Sequence, residues 1–440
     1  MKYRCSLASL VAACLVAFFC GIGAAVQLQV EFPKQDVELM DAALAPDGRA
    51  GVLYSRREDS LLRLFSLSPW GSVVADEQLS VGEKLYYNST QSFLRYDAAG
   101  QEHVFLFRYP DFLHLTRSGS NWMSEVVFST TTYNEWQVRH RDGSFHVLAF
   151  SRSGTTLNCA SPTNALLYIN NLSGIWQSQE LASQQSDIRC LMDIDLTVGP
   201  QGIAHLVYSL QLRRLMQVVW PAELYYQTNL SGAFKEDLVD ADAPANLDSA
   251  YRDLAIRMLK GQEPVVAFQL HRNVITGSSA SHSLGSAKRN GAGIWSLITV
   301  ASSSDGYNGT DGNHFTGIQP DLAIDQTGTI RIIFSDLASS HVGGYQQATV
   351  GQIRMATDTG SGYTLETLFR QSAAAKEQVK TLRLLIPPDG SGFDIFGVTF
   401  FGTSYPPPDQ QMVHLFTPKS VPKPDLPSLG PIMLLLLSDS

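Results

Sequence analysis

Residues 194–209 read IDLTVGPQGIAHLVYS, and residues 320–336 read PDLAIDQTGTIRIIFSD. In each, an Asp (Asp195, Asp321) opens an apolar run. A Gly follows seven residues later (Gly202, Gly328), and a second apolar run reaches Ser seven further on (Ser209, Ser335). Two β-rich runs joined through a glycine turn predict a tight hairpin, because Gly accepts positive φ at little cost. The cadence recurs around Gly48, Gly100, Gly143, Gly261 and Gly390, in turns such as APDGRA, DAAGQE and HRDGSF. After six of the seven turns comes a run such as GVLYS, HVFLF or HVLAF; the seventh, FDIFGVTFF, is looser.

The second half of the unit repeats as well. A third strand leads into a small turn and often an aromatic, as in FLHLTRSGSNW, LLYINNLSGIW and ELYYQTNLSGAF, and a fourth short strand follows (SEVVF, QSQEL, KEDLV). Four antiparallel strands recurring seven times predict an all-β chain folded as a seven-bladed β-propeller of four-stranded antiparallel blades. The spacing between anchor glycines varies from 43 to 67 residues, which reads as loop insertion on a fixed blade. The last unit supplies three strands (TLRLLI, FDIFGVTFF, QMVHLFT), while VQLQVEF at 26–32 precedes the first unit without a blade of its own. The N-terminal strand is therefore expected to complete the last blade, leaving no unpaired edge between the chain's ends.

This unit resembles the BNR or sialidase-like repeats of bacterial secreted β-propellers over roughly residues 26–418. The turns Ser118-Gly119-Ser120-Asn121-Trp122 and Asn171-Leu172-Ser173-Gly174-Ile175-Trp176 keep the Gly and Trp of the sialidase Asp box and lack its Asp. The early Arg-Ile-Pro motif of sialidases is also missing. The resemblance thus implies the fold and speaks against sialidase activity.

The chain of 440 residues is 44% hydrophobic and 17% charged, enough to bury a large core. A net charge of −9 argues against nonspecific nucleic-acid binding, which needs a basic footprint. Residues 1–25 read as a secretory signal peptide: Lys2 and Arg4, an apolar stretch over 6–22, then small residues at 23–25. A lipoprotein signal through Cys20 and an uncleaved anchor are the alternatives. Residues 26–418 form the expected propeller. Residues 419–440 are a Pro-rich linker with an apolar end, Ile432 to Leu437, too short for a bilayer span of about 20 residues. It reads as a truncated sorting tail or a loose apolar end. No stable membrane span is expected in the mature domain, and the location is secreted, periplasmic or cell-surface.

Cleavage after Ala25 leaves Cys159 and Cys190, an even pair that reads as one disulfide in an exported protein. It would close a loop of about 30 residues, worth roughly 3 to 4 kcal/mol in the chain-entropy account. Asn88, Asn171, Asn229 and Asn308 head glycosylation sequons.

Binding is expected on the face that carries the connections between strands two and three and between blades, where SRSGTTLNCASPTN, QLHRNVITGSSASHS and SDLASSHVGGYQQATV are long. Arg56, Arg108, Arg152, Arg213, His271 and Arg272 lie at or beside the ends of second strands on this face, and guanidinium suits carboxylate, sulfate or phosphate. The structural alternative pairs them with acids such as Asp41, Asp187 and Asp248. His103, His146 and His205 share one blade position, but equivalent atoms of neighbouring blades stand roughly 10 Å apart. Zinc–nitrogen bonds span about 2 Å, so packing is the expected role. Asp305, Asn308, Asp311 and Asn313 form an oxygen-rich loop whose spacing departs from the EF-hand pattern, a weak calcium candidate. GxSxG, HExxH, phosphate-loop and dinucleotide motifs are absent, and no cofactor is implied.

The function read from the sequence is an exported, non-catalytic propeller that binds a glycan or other extracytoplasmic partner through its long loops, an acidic glycan or an extracellular protein being the candidate partners. The alternative is a carbohydrate-active enzyme, glycoside hydrolase or polysaccharide lyase, with its site on the same face. Such enzymes need only scattered acids, bases and tyrosines.

Overall fold

The computed structural model describes residues 29–417 except 36, 57, 60, 70, 80–90, 132, 152–165, 182–188, 213–220, 243–246, 260–262, 275–279, 303–313, 343–344, 371–377, 388–391 and 402–408. The first described strand is β1 (Gln29–Gln35). Blade 1 follows with β2 (Val37–Leu44), β3 (Ala50–Arg56), β4 (Leu62–Leu67) and β5 (Val73–Gln78). Blade 2 holds β6 (Ser92–Tyr96), β7 (Glu102–Arg108), β8 (Asp111–Ser118) and β9 (Asn121–Ser129). Blade 3 holds β10 (Tyr133–Arg141), β11 (Ser144–Ser151), β12 (Leu166–Asn170) and β13 (Gln177–Leu181). Blade 4 holds β14 (Arg189–Val198), β15 (Ala204–Leu212), β16 (Ala222–Thr228) and β17 (Lys235–Asp242). Blade 5 holds β18 (Leu247–Met258), β19 (Pro264–Val274), β20 (Ala280–Arg289) and β21 (Trp295–Ser302). Blade 6 holds β22 (His314–Ile324), β23 (Ile330–Val342), β24 (Tyr345–Asp358) and β25 (Tyr363–Arg370). Blade 7 holds β26 (Gln378–Leu385), β27 (Asp394–Phe401) and β28 (Asp409–Phe416).

These strands make seven four-stranded antiparallel sheets arranged as a seven-bladed propeller, with one 3₁₀ turn at Pro200–Gly202 among the described residues. The seventh sheet has the order β1-β28-β27-β26, with Gln29 opposite Phe416 and Gln35 opposite Gln411. Of the stretch 26–32 read from the sequence, residues 29–32 lie in this strand, and residues 26–28 lie outside the described residues. The anchor glycines Gly48, Gly100, Gly143, Gly202 and Gly328 all have φ between +72° and +89°, the left-handed region that the hairpins demand.

The second strands read as unbroken apolar runs because both of their faces are buried, each against a different neighbour. In β3, Val52 and Tyr54 pack toward blade 7 while Leu53 packs toward blade 2. In β15, Leu206 and Tyr208 face blade 3 and Val207 faces blade 5. The core is accordingly divided into seven clusters, one at each interface between adjacent blades, including one that joins blade 7 to blade 1.

The segment SDLASSHVGGYQQATV, expected as a long loop, instead extends the central hairpin of blade 6. Ser339 pairs with Ala348 and Val342 with Tyr345 across Gly343-Gly344. Two glycines between residues of high strand propensity favour a tight hairpin over an open loop. The sequon residues Asn171 and Asn229 serve as turn ties. Their Oδ1 atoms accept the backbone N–H of Phe145 (2.7 Å) and Ala204 (2.8 Å), fastening each outer turn to the start of its second strand.

Gly317 on β22 has φ +76°, and a Cβ there would stand 2.8 to 3.0 Å from Cβ, Cα and N of Leu284 on the preceding blade. The obstructing atoms are mostly backbone, so they cannot swing aside. Gly317→Ala is expected to destabilise the fold by about 3 kcal/mol, measurable by denaturant unfolding. A loss below about 0.5 kcal/mol would show that blades 5 and 6 are not held at this separation.

Candidate functional site

The first strand of each blade lines the central channel and runs from the loop face to the turn face. Six of the seven first-to-second strand pairings carry a register shift, as at Leu39/Asp41, Leu191/Asp193 and Lys380/Arg383. Bulges of this kind re-aim side chains, and here they present polar groups to the channel in two layers.

The lower layer is a belt of three aspartates and four arginines, Asp41, Arg95, Arg139, Asp195, Arg257, Asp321 and Arg383, one residue per blade, around a cavity of about 260 Å³. Asp41 accepts from Arg95 (2.5 Å) and Arg383 (2.7 Å), and Asp195 accepts from Arg139 (2.6 Å). Arg257 bridges Asp195 (3.5 Å) and Asp321 (3.1 Å). Each carboxylate also takes a backbone N–H from the next blade: Leu94 on Asp41, Ile256 on Asp195 and Leu384 on Asp321. Inner strands have no ladder partner on the channel side, so these carboxylates satisfy amides that would otherwise be buried and unpaired. Burial opposes ionisation of Asp41, yet Arg95 and Arg383 hold its carboxyl below the ordinary value. Burial pulls Arg139 down to about 10.

The upper layer, nearer the loop face, borders a cavity of about 330 Å³. Its wall includes Gln91, Glu135, Gln137, Asp193, Asp253 and Gln319, with Glu38 at the side of blade 1. Asp193 accepts the N–H groups of Ile194 (2.7 Å) and Leu254 (3.1 Å), and Asp253 accepts that of Gln319 (3.0 Å). Burial pushes Asp193 well above the usual carboxylate range, and the charges of Asp253 and Glu135 add to the effect. Burial also raises Asp253, against the opposing N–H of Gln319 and the charge of Arg252. Asp253 and Gln319 both sit at positive φ (50° and 47°), an uncommon conformation for residues with a Cβ. The channel therefore offers carboxyl and carboxamide groups above, with Arg383 at their border, and a belt of ion-paired arginines and aspartates below.

Of the residues singled out from the sequence, Arg56, Arg108, His271 and Arg272 are described. Arg56 ends β3 and pairs with Glu58 at 3.3 Å, and Arg108 is exposed at the end of β7. Arg272 makes a two-pronged ion pair with Asp242 (2.9 and 2.5 Å). His271 stacks on His282 with ring centres 4.3 Å apart, and burial together with Arg252 pushes His271 down to about 4. These groups stand on blades 1, 2 and 5, and among the described residues no hydrogen bond or ion pair brings them together. Asp41, expected as a surface partner for such arginines, belongs to the channel because it lies on an inner strand.

Arg152, Arg213, Cys159 and the oxygen-rich residues Asp305, Asn308, Asp311 and Asn313 lie outside the described residues, as do residues 1–28 and 418–440. Cys190, near the start of β14, is buried and disulfide-bonded. His146 and His205 hydrogen-bond Tyr168 (2.5 Å) and Tyr226 (2.6 Å) on the third strand of their own blades, and His103 bonds His114 (2.9 Å). Among the described residues no cluster of His, Cys, Asp and Glu can hold a metal, and no helix is long and apolar enough to cross a membrane.

No family model matches the chain, and no curated protein does. Among solved structures, a polysaccharide lyase of family PL25, an ulvan lyase, aligns with a TM-score of 0.55 at 10% identity over 84% of this chain and 93% of its own. The α-L-arabinanase of Penicillium chrysogenum aligns at 0.41 with 12% identity, over 87% of this chain and 93% of its own. The fucose-specific lectin of Aleuria aurantia aligns at 0.40 with 12% identity, over 77% and 96%. At these identities the likeness to the lyase is one of fold, and the other two alignments are too loose to add to it.

Proposed function

We propose that the protein is an exported glycan-binding propeller that seats a sugar in the upper part of its central channel. The observation that carries this reading is the lining of the 330 Å³ cavity by carboxyl and carboxamide side chains. Such groups accept and donate to hydroxyls in many orientations, and the volume falls at the small end of the range of about 300 to 1,000 Å³ for ligand sites. The channel arginines are already paired with Asp41, Asp195 and Asp321. A neutral glycan therefore fits the site better than the acidic one that the loop-face arginines suggested. Export rests on the N-terminal sequence and on the pairing we propose between Cys159 and Cys190.

A second reading, glycoside hydrolysis, is favoured by one feature. A glycosidase acid must keep its proton near neutral pH, and Asp193 and Asp253 are both shifted in that direction. The deciding experiment presents neutral and acidic polysaccharides to the purified protein and scores binding and released product separately. Neutral glycans are expected to bind, with Glu135→Gln and Asp253→Asn each weakening the interaction about tenfold. Preference for acidic glycans, undiminished in both variants, would move the site away from the channel. Product release lost in Asp193→Asn would establish the enzymatic reading.

A further inference from the structure

Each blade ends in an outer strand whose far side has no neighbour within its own sheet. A row of N–H and C=O groups in that position is a template for another chain, and proteins commonly blunt it with charge or proline. Six of the seven outer strands follow that rule, carrying for example Lys34 on β1, Glu77 on β5, Glu125 on β9, Glu180 on β13, Asp237 on β17 and Glu366 on β25. The seventh, β21, reads WSLITVAS and has neither a charge nor a proline. Its residues 296–299 are all exposed, with Leu297 at 43% and Ile298 at 47%, and Ile294 in the preceding turn is more open still. The strand belongs to a well-packed blade, since Val300 and Ala301 are buried at its far end. Its exposure is thus a property of the edge and not of a loosened element.

We propose that β21 is a self-pairing edge through which two copies of this chain join their fifth blades antiparallel. The sequence of the edge selects this occupant. An antiparallel two-fold through residue 297 sets Leu297 of one copy against Leu297 of the other, Ser296 against Ile298 and Trp295 against Thr299, because opposite residues must share a sheet face. All of these pairs are uncharged and lie in the regular stretch of the strand, before its bulge beyond Thr299. Pairing β21 with any other outer strand of the molecule would bring a charge into the seam, so a like edge is the partner that leaves none unpaired. Four exposed residues bury less than the roughly 1,200 Å² of a stable interface, so the dimer is weak and concentration-dependent. The chain's net charge of −9 repels a second copy, and salt strengthens the association by screening it.

Sedimentation velocity of the purified protein over a concentration series, at low and high salt, tests this directly. The expected result is a reversible monomer–dimer equilibrium that shifts toward dimer as salt rises. Ile298→Lys should raise the dissociation constant at least about tenfold, because it places a charge in the seam. The double variant Ser296→Glu/Ile298→Lys should recover the dimer, since the two-fold sets the introduced Glu against the introduced Lys twice. Its association should weaken with salt, opposite to wild type. These positions are exposed, so unchanged circular dichroism is expected for all variants. A wild type that stays monomeric throughout, a dimer indifferent to Ile298→Lys, or a double variant that fails to recover would each overturn the proposal.

Discussion

Between pH 6.5 and pH 4 the protein is expected to lose stability steeply as the solution is acidified. The cause is a set of buried neutral histidines: burial pushes His103, His146, His205 and His271 down to about 4 and His282 to about 3. In the unfolded chain each titrates near 6.5. Below that pH the unfolded state binds protons that the folded state refuses, so stability falls as pH drops through the window, toward the folded values. Asp193 and Asp253 act in the opposite sense. Their raised folded values let the native state hold protons that the unfolded chain has already released, and acidification stabilises it through them. Burial lowers His114 and His140 as well, so the histidines outnumber the two carboxyls and the unfolded state takes up protons on balance, at about 1.4 kcal/mol per pH unit for each proton of the difference. Urea midpoints at pH 7.5, 6.5, 5.5 and 4.5 measure it. His282→Phe, which keeps the ring stacked on His271, should lower the slope by about 1.4 kcal/mol per pH unit. A flat profile across the window would mean that these imidazoles are solvated and charged in the native protein.

Asp195→Ala should be among the most damaging single substitutions, costing about 3 to 5 kcal/mol. Asp195 is 2% exposed and accepts from Arg139, from Arg257 and from the backbone N–H of Ile256. Truncation leaves the buried guanidinium of Arg139 without a counterion and an inner-strand amide of blade 5 without an acceptor. Asp195→Asn keeps the shape and one acceptor and should cost less. Arg56→Ala on the loop face serves as the control, within about 0.5 kcal/mol of wild type, because its ion pair with Glu58 is exposed. Equilibrium unfolding in guanidinium chloride ranks the three. An Asp195→Ala protein as stable as the control would show that the belt contributes nothing to holding the blades together.

The opening cadence acquires its physical meaning here. Its Asp is Asp195 in blade 4 and Asp321 in blade 6, and Asp41 stands at the same distance before Gly48 in blade 1. All three reach across to a backbone N–H of the next blade. Its Ser also ties neighbouring blades in one instance, since Ser209 Oγ donates to the carbonyl of Tyr251. The sequence by itself determined the unit and its number. Strand alternation and positive-φ turns are local properties, written within a few residues of each anchor glycine. It could not register the inner strands on one another. Arg383 lies seven residues before its anchor glycine, Arg95 five, and Arg139 and Arg257 only four. The first hairpins differ in length, with Arg95 opposite His103 and Arg383 opposite Phe396, so residues out of step in the chain arrive at one level of the channel. Glu135, Asp193 and Asp253 escaped notice for the same reason: each looked like an ordinary acid in a strand, and only closing seven blades around one axis gathers them, half-buried, at one cavity. The exposed loop-face arginines were visible because their strand ends are local features. The blade 6 hairpin was read as a loop because its second half lacks an apolar alternation, and strand pairing across Gly343-Gly344 decided it. Where neighbours along the chain set the geometry, the sequence sufficed. Where the neighbours came from other blades, tertiary structure alone brought the carboxyls and arginines together, since their interaction depends on distances that no spacing in the chain encodes.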